Sequence, residues 1–126
     1  MAYQVQKLKR FIVANPALSN VPFGIVHGRS ITPRQALVML QRGEAVAEVV
    51  AAMEAVGLDP PQDWDLAEDY YRRLLQLPGP HPKIYAIGQE MTLNEALMHI
   101  KRRDVKGSEL LSSYQSLRRE MARRMR

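Results

Sequence analysis

The stretch GRSITPRQALVMLQR, residues 28–42, returns sixty residues later as GQEMTLNEALMHIKR, residues 88–102. Gly28/Gly88, Thr32/Thr92, Ala36-Leu37/Ala96-Leu97 and Arg42/Arg102 coincide, and apolar character is kept at Ile31/Met91 and Leu40/Ile100. Each copy reads as an extended segment, a glycine, a capping box and a short helix. Helix starts draw on few capping residues, so two similar starts arise either independently or by duplication. Both readings concern fold rather than chemistry, and two repeats fall short of a solenoid.

Apolar spacing and proline punctuation fill in the rest. Val5, Leu8 and Ile12 make one stripe of a first helix over Tyr3 to Ala14, with Lys7 and Arg10 on another face. Pro16 pushes Asn15 out of helical geometry, and a short turn or helical piece to Asn20 leads into an extended Val21 to His27. Thr32, Pro33 and Gln35 start the next helix, which ends at Gly43. A third spans about Ala45 to Val56 and buries Val46, Val49, Val50 and Met53. After Pro60-Pro61, Asp65 and Glu68 open a fourth, with the stripe Leu66, Tyr70, Leu74 and Leu77. Three prolines between Pro78 and Pro82 exclude helix there, and Ile84 to Ile87 reads as extended. The last helix runs from about Lys106 to Met125 on the stripe Leu110, Tyr114, Leu117, Met121 and Met125. The expectation is an all-α chain: a basic N-terminal helix and extended arm over residues 1–30, then a four- to five-helix bundle over residues 31–126 in one domain.

The arm is the odd part. KLKRFIVANPALSNVPF opens with three cations and then has no charge until Arg29. Its apolar run stops too soon at Asn15-Pro16 for a signal peptide, and its prolines and asparagines would leave backbone groups unpaired in lipid, which excludes a membrane span. An uncharged segment with little regular structure is expected to be covered by a neighbour.

Charge is unevenly spread. Residues 1–42 carry six bases and no acid, residues 43–99 carry three bases against ten acids, and residues 100–126 carry nine bases against three acids. Basic ends around an acidic middle give the molecule a positive and a negative side, provided the ends meet in space. The chain has no cysteine, which removes disulfides and thiolate chemistry and fits an intracellular setting. Arginine outnumbers lysine thirteen to five, and proline is frequent, a leaning toward a high-temperature source.

Catalysis finds little support. His27, His81 and His99 lack metal-ligand spacing, and Asp63, Asp65, Glu68 and Asp69 crowd a helix start, where capping and the helix dipole favour carboxylates. No phosphate-cradling glycine loop or nucleophile elbow is present, so no enzyme activity, cofactor or metal is expected. The helix–Gly43–helix unit suggests a helix-turn-helix reader, but its second helix carries Glu48 and Glu54 and no base, and phosphates would repel it. Backbone binding to a duplex without sequence readout uses what is present, since arginine offers phosphate several donors and always stays charged.

The order of basic helix, Asn-Pro break, apolar arm and helical bundle resembles the major coat proteins of rod-shaped and filamentous viruses of hyperthermophilic archaea. Lys7, Lys9, Arg10, Asn15, Pro16 and the ALSNV that follows carry the likeness. The resemblance implies a virion protein whose N-terminal arm wraps linear double-stranded DNA in the A form, copies of it or of a homologous coat protein assembling helically. It implies phosphate contacts from Lys7, Lys9 and Arg10, with Arg29 and Arg34 as additions. Arg118, Arg119, Arg123, Arg124 and Arg126 then either meet DNA or bridge to a neighbour's acidic block. The alternative is a small helical nucleic-acid-binding subunit of a nucleoprotein complex.

Overall fold

In the computed structural model, which describes residues 2–58 and 63–125, the chain is mostly helical, with two small antiparallel sheets. It divides into two compact units, residues 1–60 with 117–126 and residues 61–116. Residues 1–30 and 31–60 thus fall in one unit, and the division does not follow the boundary expected after residue 30.

In the first unit, helix α1 (Ala2–Ala14) buries Leu8 and Phe11 and leaves Val5 and Ile12 half-buried. The proline ends it as expected. The Asn15 side-chain amide turns back to the Phe11 carbonyl at 3.1 Å, and the Ser19 hydroxyl donates to the Asn15 carbonyl at 2.7 Å. A 3₁₀ turn (Leu18–Asn20) follows, and then Val21, Pro22 and Phe23, all buried. The C-terminal part of the apolar arm is therefore covered by its own chain, which corrects for these residues the expectation that a neighbour must cover them, whereas Val13, Ala14, Pro16 and Ala17 stay exposed.

Strands β1 (Gly24–Val26) and β2 (Arg29–Ile31) pair antiparallel as Gly24↔Ile31, Ile25↔Ser30 and Val26↔Arg29. The two-residue turn sets both His27 (φ 51°) and Gly28 (φ 77°) left-handed, the conformation of a type I′ hairpin. Helix α2 (Pro33–Arg42) starts on the full capping box: Thr32 Oγ1 accepts from the Gln35 N–H at 3.3 Å, and Gln35 Oε1 accepts from the Thr32 N–H at 3.0 Å. Gly43 ends it at φ 71°. Helix α3 (Val46–Glu54) buries Val49 and Met53 and packs on β1. The contact is close, since a Cβ on Gly24 would stand 3.0 Å from the Ala52 Cβ.

The second unit repeats this order. Helix α4 (Asp63–Gln76) buries Leu66, Ala67 and Tyr71, while the expected stripe member Leu77 lies beyond the helix and is exposed. Strands β3 (Ile84–Ala86) and β4 (Gln89–Met91) pair as Ile84↔Met91, Tyr85↔Glu90 and Ala86↔Gln89, around a turn with Ile87 (φ 52°) and Gly88 (φ 70°) left-handed. Helix α5 (Leu93–Arg102) is capped by Thr92 and packs on α4, as α2 packs on α1. Helix α6 (Val105–Met125) is long, and its residues from Leu117 onward belong to the first unit.

Both hairpins and the helices that follow them correspond at the same offset of sixty residues. The similarity of two fifteen-residue stretches thus extends to a helix–hairpin–helix–helix module used twice. It also corrects the all-α expectation to mainly α. The extended segments were legible, but three-residue strands around His-Gly and Ile-Gly lack the Asn-Gly or Asp-Gly signal that would announce a hairpin.

Candidate nucleic-acid interface

The first unit gathers both basic ends of the chain. Arg124 Nη1 on α6 donates to Asn15 Oδ1 at the end of α1, 2.6 Å away. Tyr3 and Lys7 of α1 share the wall of a cavity of about 290 Å³ with Ala122 and Met125 of α6. By sequence, residues 1–60 and 117–126 hold eleven bases and five acids, a net charge of +6, whereas residues 61–116 hold seven bases and eight acids, a net charge of −1. The condition set by the charge pattern, that the ends meet, is fulfilled.

The individual cations differ in availability. Lys9 and Arg10 project from α1 into solvent, and neither is paired with a carboxylate among the described residues. Lys7 is half-buried, its ammonium 4.9 Å from the centre of the Tyr3 ring, a cation–π contact one turn back along α1. Arg119 is exposed. Arg123 and Arg124 are exposed but share Glu120, which accepts from Arg123 Nη2 and, at 2.6 Å, from Arg124 Nε. The Arg123 and Arg124 guanidiniums hold the Glu120 carboxyl below its ordinary range. A phosphate must compete with that carboxylate, so these two arginines are weaker anchors than their number suggests. Arg126 lies outside the described residues.

Arg118 departs from the expectation altogether. It is 1% exposed and is held by backbone carbonyls: its Nε donates to Phe23 at 3.1 Å, its Nη1 to Leu58, and its Nη2 to Ala55 at 3.5 Å. Ala55 caps the C-terminus of α3, where a cation is favoured. Arg118 is a structural residue, and it leaves the set of phosphate-binding candidates.

Arg29 on β2 and Arg34 in the first turn of α2 stand on one groove between the hairpin and the helix, about 840 Å³ in volume. Arg34 Nε donates to Asn20 Oδ1 at 3.1 Å, which steadies the side chain and leaves its charge unneutralised. The groove adds Arg42, which the sequence marked only as coinciding with Arg102 in the sixty-residue repeat. Arg34, Val38 and Arg42 follow one another at i, i+4 and i+8, and all three are exposed, so the signal was a helical stripe. Neither Arg29 nor Arg42 has a carboxylate partner among the described residues. His27 at the hairpin turn faces Glu48 at 3.8 Å, both well exposed.

In the second unit, Arg72 bridges Glu68 and Asp69 on α4, both at 2.7 Å, so that cation is spent on neighbouring carboxylates. His99 Nδ1 lies 2.6 Å from Asp104 Oδ2. Among the described residues no group of three or more His, Asp or Glu side chains stands ready to hold a metal ion, and no described helix is long and apolar enough to cross a membrane. No family model, curated protein or solved structure matches the chain.

Proposed function

We propose that this chain is a structural nucleic-acid-packaging protein that binds double-stranded DNA through the phosphate backbone and without sequence readout. The observation that carries the reading is the gathering of both basic ends on one unit of net charge +6, with Lys9, Arg10, Arg29 and Arg42 exposed and without a carboxylate partner among the described residues. Phosphates replace the water around these side chains and release condensed counterions, which supplies affinity for any sequence. In the finer form of the proposal, copies of the chain assemble along linear DNA in a helical virion, as in the archaeal viral coat proteins that the N-terminal stretch resembles.

A second reading, a nucleic-acid-binding subunit of a nucleoprotein complex, is favoured by one observation. Val21, Pro22 and Phe23 of the arm are buried, so this part of the arm calls for no neighbour.

A salt titration with a random-sequence duplex tests the common part. Binding is expected at low salt, with an affinity that falls linearly in log[salt] by a slope of about −0.9 for each phosphate neutralised. No binding at low salt, or an affinity indifferent to salt, would overturn both readings. Imaging the protein on long linear DNA then separates them: regular filaments support the coat, and isolated small complexes support the subunit.

A further inference from the structure

The molecule contains its own control for what the basic groove is for. The two modules share strand register, turn conformation and, for the helix after the hairpin, its bounds and threonine N-cap, and the scaffold positions keep their character: Thr32/Thr92, Ala36/Ala96 and Leu40/Ile100. The burial of residues 31–40 is matched by that of residues 91–100 at every position except Thr32/Thr92. On this common backbone the groove residues diverge. Where the first module has His27, Arg29, Ser30 and Arg34, the second has Ile87, Gln89, Glu90 and Asn94. The fold accepts uncharged or acidic residues at these places, so it does not require the arginines. Arg42 alone keeps its counterpart, Arg102, as expected of a cation that also complements a helix C-terminus.

We propose that the groove between the first hairpin and α2 is the principal phosphodiester site of this protein, gripping the backbone of a duplex with Arg29, Arg34 and Arg42, and that the second module has no such site. This rests on the nucleic-acid reading above and places it on one module. Three cations line the groove against a single carboxylate, Glu44. The corresponding positions of the second module carry Arg102 against Glu90, Glu95 and Asp104. Arg34 and Arg42 are separated by about 12 Å along the helix axis, at roughly 1.5 Å per residue. That spacing suits a polymer that presents several phosphates along its length. Val38, 42% exposed between them, supplies an apolar floor with no base-specific hydrogen bond, in keeping with backbone rather than sequence recognition.

The test exchanges the module's own residues. R29Q/R34N gives the first module the side chains that the second already carries on the same backbone. The salt slope for a random duplex is expected to fall by about 2, at roughly 0.9 per lost phosphate contact. K9Q/R10Q, on α1, is measured in parallel. An unchanged slope in R29Q/R34N together with a reduced one in K9Q/R10Q would overturn the groove while leaving the nucleic-acid reading intact. A wild-type protein that does not bind would end that reading itself. Should R29Q/R34N fail to fold, amide chemical-shift mapping of the wild-type protein with a 12-base-pair duplex decides. Shifts concentrated at residues 27–42 and absent at residues 87–102 support the proposal, and equal shifts in both modules overturn it.

Discussion

Arg118 heads the fully buried side chains by size, and its environment sets what its removal does. Its donors reach the carbonyls of Phe23, Leu58 and Ala55, which tie the start of the first hairpin to the end of α3. Methionine fills much of the same volume but donates nothing, so the Phe23 and Leu58 carbonyls would lose this donor at about 1–3 kcal/mol each, while the Ala55 carbonyl keeps the Leu58 N–H. Arg118→Met is expected to lower unfolding stability in denaturant by about 3 kcal/mol, while folded protein keeps the wild-type salt slope for DNA. A stability loss within error would show that the contacts are incidental; a reduced slope would return Arg118 to the phosphate contacts. The position was partly legible in the sequence. Tyr114, Arg118, Met121 and Met125 follow helical spacing, and all four are buried, whereas the expected stripe member Leu117 is only half-buried. Periodicity records which positions turn inward, but the charge of an arginine argues for solvent. The carbonyls that meet it, drawn from segments 60 to 95 residues away, reverse that preference.

Among the elements, those with local causes were the most readable. The capping box at Thr32, the stop at Gly43 and the proline end of α1 depend on residues within one turn, and each stands where its chemistry places it. The junction of α5 and α6 depends on contacts that spacing does not reveal. Asp104 Oδ1 accepts from the Gly107 N–H at 2.8 Å while Oδ2 meets His99, and a Cβ on Gly107 would stand 2.2 Å from the His99 carbonyl oxygen. Gly107 is thus a close-approach glycine inside a helix, and Asp104 closes the first turn of α6. The hydrogen bond from His99, then the one from Gly107, hold the Asp104 carboxyl below its ordinary value. A carboxyl depressed in the folded state contributes stability above its unfolded pKa, near 3.9, and loses it as pH falls through the lower folded value. Asp104→Ala is therefore expected to be less stable than wild type at pH 7, and the gap should close below about pH 4. Thermal unfolding of both proteins across that range measures it, and a gap independent of pH would refute the assignment.

The distribution of buried apolar surface over the whole chain decides what the N-terminal arm is. Leu8, Phe11, Val21 and Phe23 are each no more than 6% exposed, and large apolar side chains contribute about 1.5–3 kcal/mol each when buried. Together they reach roughly 6–12 kcal/mol, comparable with the entire 5–15 kcal/mol stability of an ordinary domain. An arm of that kind is not detachable. Charge and proline content in the sequence distinguished the segment from its surroundings, but could not tell a surface awaiting a neighbour from one already satisfied within the chain. Deleting residues 1–23 is expected to abolish the cooperative unfolding of the first unit, to expose apolar surface to a hydrophobic dye, and to remove DNA binding altogether rather than in steps. If the deleted protein still unfolds cooperatively with unchanged amide shifts over residues 24–58, the arm is separable and free to wrap DNA in the manner of a viral coat protein. If the first unit is lost, any filament this chain builds on DNA must be joined through the exposed faces of its two modules.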